Sequence, residues 1–237
     1  MRALTIAEPG MTWDRNIDNA LRMINLAKQG GADICKFQWT SSGKKIQERR
    51  KVDPKYTAIY ERGVQYPLEW LQIFKGHCDS VGIEFACTAY LPEDIEVIAP
   101  LVNRFKVSAY ESNDQEFVRQ HLQYAKDVIV SINPDYLPLM RSSRSKQIKL
   151  LHCVSKYPTE MKELGLSRIV DYDLDGLSSH CPDWRIGGIA VAAGAQILEV
   201  HFRDFTTPNT NPDYGHSLNP EELSNCVRYV REVEAAL

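Results

Sequence analysis

Two histidines stand near the ends of apolar, β-rich runs in the last third of the chain. His180 closes the run at residues 174–180, and His201 lies in the run at 197–202. Each histidine alone is better explained as a hydrogen-bonded pocket residue. As a pair on adjacent strands they favour a divalent metal site, because neutral imidazole is the commonest protein ligand for such ions. Two protein ligands leave positions for substrate oxygens, which suits Mn²⁺, with Mg²⁺ or Co²⁺ as alternatives, acting as a Lewis acid on a carbonyl.

Two lysines lie within similar apolar runs. A lysine in such a run is costly to bury unless it is paired or functional. Hydroxyl side chains occur at or just after the ends of further runs, and together these donors fit a phosphate or a phosphorylated carboxylate. The donors are Lys36, Lys106, Thr88, Ser108, Ser131, Ser155 and Ser178. Glu8 and Glu111 add carboxylates that could hold sugar hydroxyls or move protons.

Eight β-rich runs alternate with helical patterns along the chain. The runs cover residues 3–8, 32–38, 83–89, 104–109, 127–132, 148–154, 174–180 and 197–202. Helical periodicity predicts helices at 16–29, 67–81, 92–99, 114–124, 162–170, 184–195 and 220–237. The fifth unit is the weakest, because residues 133–147 are polar and carry two prolines.

This alternation predicts parallel strands joined by right-handed crossovers. Eight units in 237 residues fit one closed barrel, and the chain carries neither a G-x-G-x-x-G nor a Walker motif to favour an open sheet. The predicted fold class is therefore α/β, a single (β/α)8 TIM barrel over residues 1–237. In such barrels the polar groups at the carboxyl ends of the strands share one pocket.

The connection at residues 39–66 is unusually long, and a loop of that length is usually functional or disordered. It carries a basic run that includes Lys44, Lys45, Arg49, Arg50 and Lys51. We interpret this run as solvated surface, with contact to a phosphate-bearing ligand as the alternative.

Composition excludes several classes of protein. A net charge of −3 gives no electrostatic case for nucleic acid or an anionic membrane. No apolar run approaches the ~18 residues needed to span a bilayer, and the N-terminus shows no signal peptide, so the expected location is cytoplasmic. The six cysteines form no C-x-x-C pair and are expected to be buried, with Cys153 and Cys181 nearest the predicted site.

Several segments, in this order, resemble the N-acetylneuraminate (sialic acid) synthase family. They are residues 6–8, 31–38, 151–158, 176–180, 194–202, 211–213 and 217–223. The resemblance implies that phosphoenolpyruvate condenses with the aldehyde of an N-acyl amino sugar, an N-acyl hexosamine, to give a nine-carbon 2-keto acid and phosphate.

The resemblance also implies a role for each matching residue. His180 and His201 would hold the metal, Glu111 would lie by the reacting carbons, and Lys36 would act in catalysis and in phosphoenolpyruvate binding. The other implied phosphoenolpyruvate contacts are Thr88, Lys106, Ser131, Ser155, Tyr157 and Ser178. Glu8, Gln38 and Asp213 would hold the sugar.

The chain departs from the family pattern in its phosphate-binding strand and at its sugar end. Ala109 stands where a serine is usual, with Ser108 one residue earlier, and residues 9–13 replace the usual Asn-His pair and glycine. Typical bacterial members also carry a C-terminal antifreeze-like domain whose arginine reaches the partner's sugar site, whereas this sequence ends at Leu237. We therefore expect a sugar half that is built differently or not at all. The sequence leaves the oligomeric state open, with a homodimer as one alternative.

Two other functions remain open from the residues. Lys36 or Lys106 could form a Schiff base in a lyase or aldolase acting on a 2-keto acid sugar. Alternatively, the barrel could bind a sugar or phosphate ligand without catalysis.

Overall fold

The computed structural model describes residues 2–132 and 145–237, in which eight parallel strands form a closed barrel in sequence order. The strands are β1 (Leu4–Glu8), β2 (Ile34–Trp39), β3 (Glu84–Ala89), β4 (Arg104–Val107), β5 (Asp127–Ile132), β6 (Ile148–Cys153), β7 (Gly176–Ser179) and β8 (Ile197–His201). β1 pairs with β8 to close the barrel, and the predicted (β/α)8 fold is confirmed.

Helices connect the strands along the chain. They are α1 (Ile17–Gln29), α2 (Gly43–Arg50), α3 (Thr57–Gly63), α4 (Glu69–Val81), α5 (Pro92–Ile98), α6 (Gln115–Leu122), α7 (Ser167–Asp171), α8 (Ile186–Ala192) and α9 (Pro220–Ala236). None of the helices within the described residues has the length and apolar character needed to cross a bilayer.

Two regions differ from what the sequence predicts. The helix predicted at 162–170 is divided into a 3₁₀ turn (Met161–Glu163) and α7, because Gly165 adopts a left-handed φ of 56° that breaks helical geometry. Residues 39–66, predicted as a long loop, contain α2, a second 3₁₀ turn (Pro54–Tyr56) and α3. The weak fifth unit at 133–147 lies mostly outside the described residues.

Inside the barrel, an apolar layer lies beneath a polar layer. The apolar layer is a separate buried cluster with one residue from each of six strands: Ile6, Ile34, Ala86, Ile129, Leu151 and Ile197. Side chains two residues apart on a strand share a face. The residues two positions further along the same strands are Glu8, Lys36, Thr88, Ser131, Cys153 and Glu199. Strand alternation therefore places a ring of mostly polar groups directly above an apolar floor.

Candidate active site

A cavity of about 380 Å³ lies above this floor, at the carboxyl ends of the strands. Its size falls within the ~300–1,000 Å³ of small-molecule sites. Apart from Glu111, the predicted site residues all line it: Glu8, Lys36, Gln38, Thr88, Lys106, Ser108, Ser131, Ser155, Tyr157, Ser178, His180, His201 and Asp213. The structure therefore gathers these strand-end residues around one cavity.

Lys36 lies at the centre of a buried network of charged groups. Its Nζ is 2.7 Å from Glu8 Oε1 and 3.7 Å from Glu199 Oε2, and it donates a hydrogen bond to Thr88 Oγ1 at 3.1 Å. Gln38 Nε2 donates a further hydrogen bond to Glu8. Side chains this deeply buried tolerate charge only when it is paired in this way.

The neighbouring glutamates keep Lys36 protonated. Burial alone would lower the pKa of the Lys36 ammonium, but Glu199 and Glu8 raise it above its usual value. Burial works to raise the pKa of Glu8, and the charge and hydrogen bond of Lys36 outweigh it, so this pKa lies below its usual value. A protonated amine is not a nucleophile, so this pairing disfavours Schiff-base chemistry at Lys36 and suits the binding of an anion.

Lys106 forms the second cationic position of the cavity. Its Nζ donates a hydrogen bond to Ser131 Oγ at 2.7 Å and lies 3.3 Å from Glu199 Oε1. Ser178 Oγ donates a hydrogen bond to the same glutamate at 2.9 Å. Glu199 therefore joins both lysines and one of the predicted hydroxyls into a single network.

The structure brings His180 and His201 together, as the sequence predicted. Their ring centroids are 5.3 Å apart, and the exposed fraction is 5% for His180 and 7% for His201. His180 Nδ1 lies 2.9 Å from the carbonyl oxygen of Val154, to which it can donate its proton, leaving Nε2 as an acceptor. Burial lowers the pKa of both rings, and neutral imidazoles with a free lone pair are the form that binds a metal. These residues fit a divalent ion.

Asp213, in the segment after β8, packs against the loop after β1 and lies near the histidines. Its Oδ2 accepts a hydrogen bond from the backbone N–H of Met11 at 2.7 Å, and burial raises the pKa of its carboxyl to about 6. Gly10 makes this approach possible, because a Cβ at its left-handed φ of 53° would collide with Asp213 and lie 3.1 Å from His201 Nδ1. The Pro9–Gly10–Met11 departure thus shapes this side of the cavity.

Arg50 corrects the interpretation of the basic run as solvated surface. Its side chain is only 15% exposed and lines the cavity, with its guanidinium 4.6 Å from the Tyr110 ring centroid and 5.3 Å from that of Tyr60. Lys44 and Lys45 do lie in solvent, with side chains 71% and 60% exposed. One residue of the run therefore faces the cavity instead of solvent.

Glu111 is the predicted site residue that does not line the cavity. Its carboxylate accepts two hydrogen bonds of 2.8 Å from Arg50 and another from Ser108. The Ser108 hydroxyl is therefore directed to a neighbouring carboxylate, although its residue lines the cavity. Glu111 therefore contacts the cavity lining through Arg50 and Ser108.

Sequence reasoning missed three residues of the site. Arg50 was assigned to the surface, and Glu199 was noticeable as a buried acid on a strand but was not selected. His216 lies in a 3₁₀ turn (Tyr214–His216) three residues after Asp213, where no strand end marks it. The cysteines are buried as expected, and burial raises the pKa of Cys153 to about 11, which makes its thiol unreactive.

A model described as the NeuB family matches residues 23–237 of the chain. An N,N'-diacetyllegionaminic acid synthase of Legionella pneumophila is 27% identical over all of this chain and 74% of its own length. Human N-acetylneuraminate-9-phosphate synthase is 28% identical over 98% of this chain and 70% of its own length. A pseudaminic acid synthase of Campylobacter jejuni is 28% identical over all of this chain and 75% of its own length.

Solved structures agree on the fold. A sialic acid synthetase from Leptospira borgpetersenii superposes with a TM-score of 0.85 at 23% identity, over all of this chain and 85% of that one. A Bacillus subtilis spore coat polysaccharide biosynthesis protein gives a TM-score of 0.81 at 25% identity, over 99% of this chain and 68% of that one. The relatives that match by sequence bear out the predicted enzyme class, a synthase.

Proposed function

Because the chain belongs to the NeuB family, as its motifs indicated, we propose that it condenses phosphoenolpyruvate with the aldehyde of an N-acyl amino sugar. The products are a sialic-acid-like nonulosonic acid and inorganic phosphate. In balanced form, C3 of phosphoenolpyruvate bonds to the aldehyde carbon, water adds at C2, and phosphate leaves with the bridging oxygen. The aldehyde oxygen becomes a hydroxyl, and the C2 adduct gives the 2-keto acid.

The observation that carries this proposal is the pair of buried lysines among hydroxyl donors. Lys36 and Lys106 are both held near Glu199, and Thr88 and Ser131 each accept a hydrogen bond from one of them. In the polar layer just above the apolar floor, a ligand with both a phosphate and a carboxylate meets two cations and rotatable hydroxyls. Their enclosure in the barrel strengthens each electrostatic contact over its value in water.

The acceptor sugar would lie above this floor, towards the cavity mouth. Glu8 and Gln38 offer a carboxylate and an amide to hydroxyl groups, and Asp213 offers a second carboxylate. Arg50 and Tyr60, from the α2–α3 segment, also line the cavity. This segment is built from this chain's own residues and could contact the acyl group.

A divalent metal completes the proposed site. His180 and His201 would hold it, Mn²⁺ being the expected ion with Mg²⁺ or Co²⁺ as alternatives. When bound, the ion would polarise the aldehyde oxygen as a Lewis acid. The contribution proposed for Glu111 is to hold Arg50 in place, since Glu111 bonds Arg50 and does not itself line the cavity.

A phosphate-release assay tests the function. The protein would be incubated with Mn²⁺, phosphoenolpyruvate and a panel of N-acyl hexosamines, with and without a chelator. We expect phosphate release only with phosphoenolpyruvate, an acceptor and metal together, and its loss in His201→Ala but not in His77→Ala, a histidine that bonds Asn25 outside the cavity. No release with any acceptor would favour the non-catalytic barrel, and borohydride trapping of a lysine adduct would favour the lyase.

A further inference from the structure

A third histidine faces the predicted pair. The ring centroid of His216 is 4.8 Å from that of His201 and 5.9 Å from that of His180, and His180 and His201 are 5.3 Å apart. Imidazoles that share one ion through metal–nitrogen bonds of about 2.1 Å have ring centroids on the order of 5 Å apart. The three rings therefore have the spacing of ligands around a common point.

Ring nitrogens in this cluster lack the partners that burial requires. His216 is 4% exposed, and its Nε2 has no hydrogen-bond partner among the described residues. His201 Nδ1 is likewise buried without a partner in the described part of the chain. Buried polar atoms of this kind are uncommon and call for a ligand, an ion or water.

A carboxylate lies beside the same nitrogens. Asp213 Oδ1 is 3.7 Å from His216 Nε2, and one ligand atom each from His201, Asp213 and His216 lie within 4.8 Å of one another. The other Asp213 oxygen is fixed by the Met11 N–H, which orients the carboxylate towards the histidines. Hydrogen bonds of this kind to a ligating carboxylate are typical of metal sites.

We propose that His216 is a third imidazole ligand of the divalent ion. Asp213, assigned above to the sugar, would also contribute Oδ1 to the ion as a carboxylate ligand. The inference rests on the proposed metal-dependent function, because it extends the pair formed by His180 and His201. It replaces an open site of two protein ligands with one of four. Fewer coordination positions then remain for the aldehyde oxygen and other donors of the sugar, and the ion is bound more tightly.

The test is Mn²⁺ binding without substrates, measured from the signal of free Mn²⁺ in an electron paramagnetic resonance titration. We expect His216→Ala to weaken binding by about tenfold or more, since even residues that only orient metal ligands account for ~10–100-fold in affinity. His216→Gln is the second variant, and His77→Ala, which removes a histidine outside the cavity, should bind as wild type does. Circular dichroism establishes that each variant is folded.

Pulsed electron paramagnetic resonance of the wild-type Mn²⁺ complex gives a readout that needs no variant. Three coordinated imidazole nitrogens support the proposal, and two would overturn it. Wild-type affinity in both His216 variants, together with lost binding in His180→Ala and His201→Ala, would overturn this inference and leave the proposed function standing. Failure of the wild-type protein to bind Mn²⁺, Mg²⁺ or Co²⁺ would overturn both.

Discussion

The Arg50 guanidinium holds both carboxylate oxygens of Glu111, each at 2.8 Å, in a pair whose side chains are 15% and 2% exposed. A fork-shaped pair of this kind is directional as well as strong. It fixes the end of α2 against the turn after β4 and so places Arg50 at the cavity. Burial alone would lower the pKa of Arg50, but Glu111 raises it above its usual value, so the guanidinium stays charged.

Breaking this pair on one side should destabilise the protein. We expect Arg50→Met to lower the free energy of unfolding by about 3–5 kcal/mol, because it leaves the Glu111 charge buried without its main partner. Arg50→Met combined with Glu111→Gln should recover much of that loss. Urea denaturation of the two single variants and the double variant measures the coupling. Additive losses in the double variant would show that the pair does not act as a unit.

Lys106 should contribute chiefly to phosphoenolpyruvate affinity. We expect Lys106→Met to raise the dissociation constant for phosphoenolpyruvate by about tenfold or more, since a charge-assisted hydrogen bond contributes ~1.5–3 kcal/mol. Calorimetric titration measures this directly. Lys162→Met is the control, because that side chain is 78% exposed and does not line the cavity. If Lys106→Met changed only the apparent affinity for the sugar, the assignment of Lys106 to phosphoenolpyruvate would be wrong.

Two glycine substitutions should have opposite effects. Gly10→Ala places a Cβ against Asp213 in a left-handed conformation, which costs about 1–2 kcal/mol before any collision. It should lower both the free energy of unfolding and the affinity for Mn²⁺. Gly76→Ala lies within α4, where an added Cβ meets nothing within 4 Å, and should stabilise the protein by up to ~1 kcal/mol. Wild-type Mn²⁺ affinity in Gly10→Ala would show that this loop does not position Asp213.

Stability should fall in mild acid, in part through His121. This ring is fully buried between Phe105 and Phe117, and burial lowers its pKa from 6.5 to about 4. The unfolded chain therefore binds a proton at a higher pH than the folded one. The contribution of neutral His121 to the free energy of unfolding is fully present above pH 6.5 and is lost as the pH falls towards about 4. The loss amounts to on the order of 3 kcal/mol.

Replacing this histidine isolates its share of the pH dependence. Urea denaturation at a series of pH values should show a shallower loss of stability in His121→Phe than in the wild type. The other buried histidines are common to both proteins and cancel in the difference. Parallel curves for the two proteins would exclude His121 as a source of the acid sensitivity.

The sequence was most informative where the side chains of an element alternate with a regular period. On a strand, a period of two links Ile34 in the apolar floor to Lys36 in the cavity, and Ile197 to Glu199 and His201. Because all parallel strands end on the same face, identifying the strands was enough to gather most of the site. The helix boundaries were less well predicted, as at Gly165, where a single left-handed residue interrupts a helical pattern.

The sequence was least informative in the segments between strands and helices. Three consecutive basic residues end α2 and follow it, Arg49, Arg50 and Lys51, and of these only Arg50 lines the cavity. Its position is set by contacts with Tyr60, Tyr110 and Glu111. His216 is placed by the turn at Tyr214–His216 and the packing beneath it, which no periodic pattern encodes. Both positions depend on tertiary contacts between distant parts of the chain.

Product analysis with [1-¹³C]phosphoenolpyruvate tests the central claim most directly. The label should appear in a 2-keto acid that is three carbons longer than the acceptor sugar, in equal amount to the phosphate released, and only when metal is present. Phosphate release without a labelled, lengthened product, or a product whose three added carbons come from pyruvate, would contradict the proposed condensation.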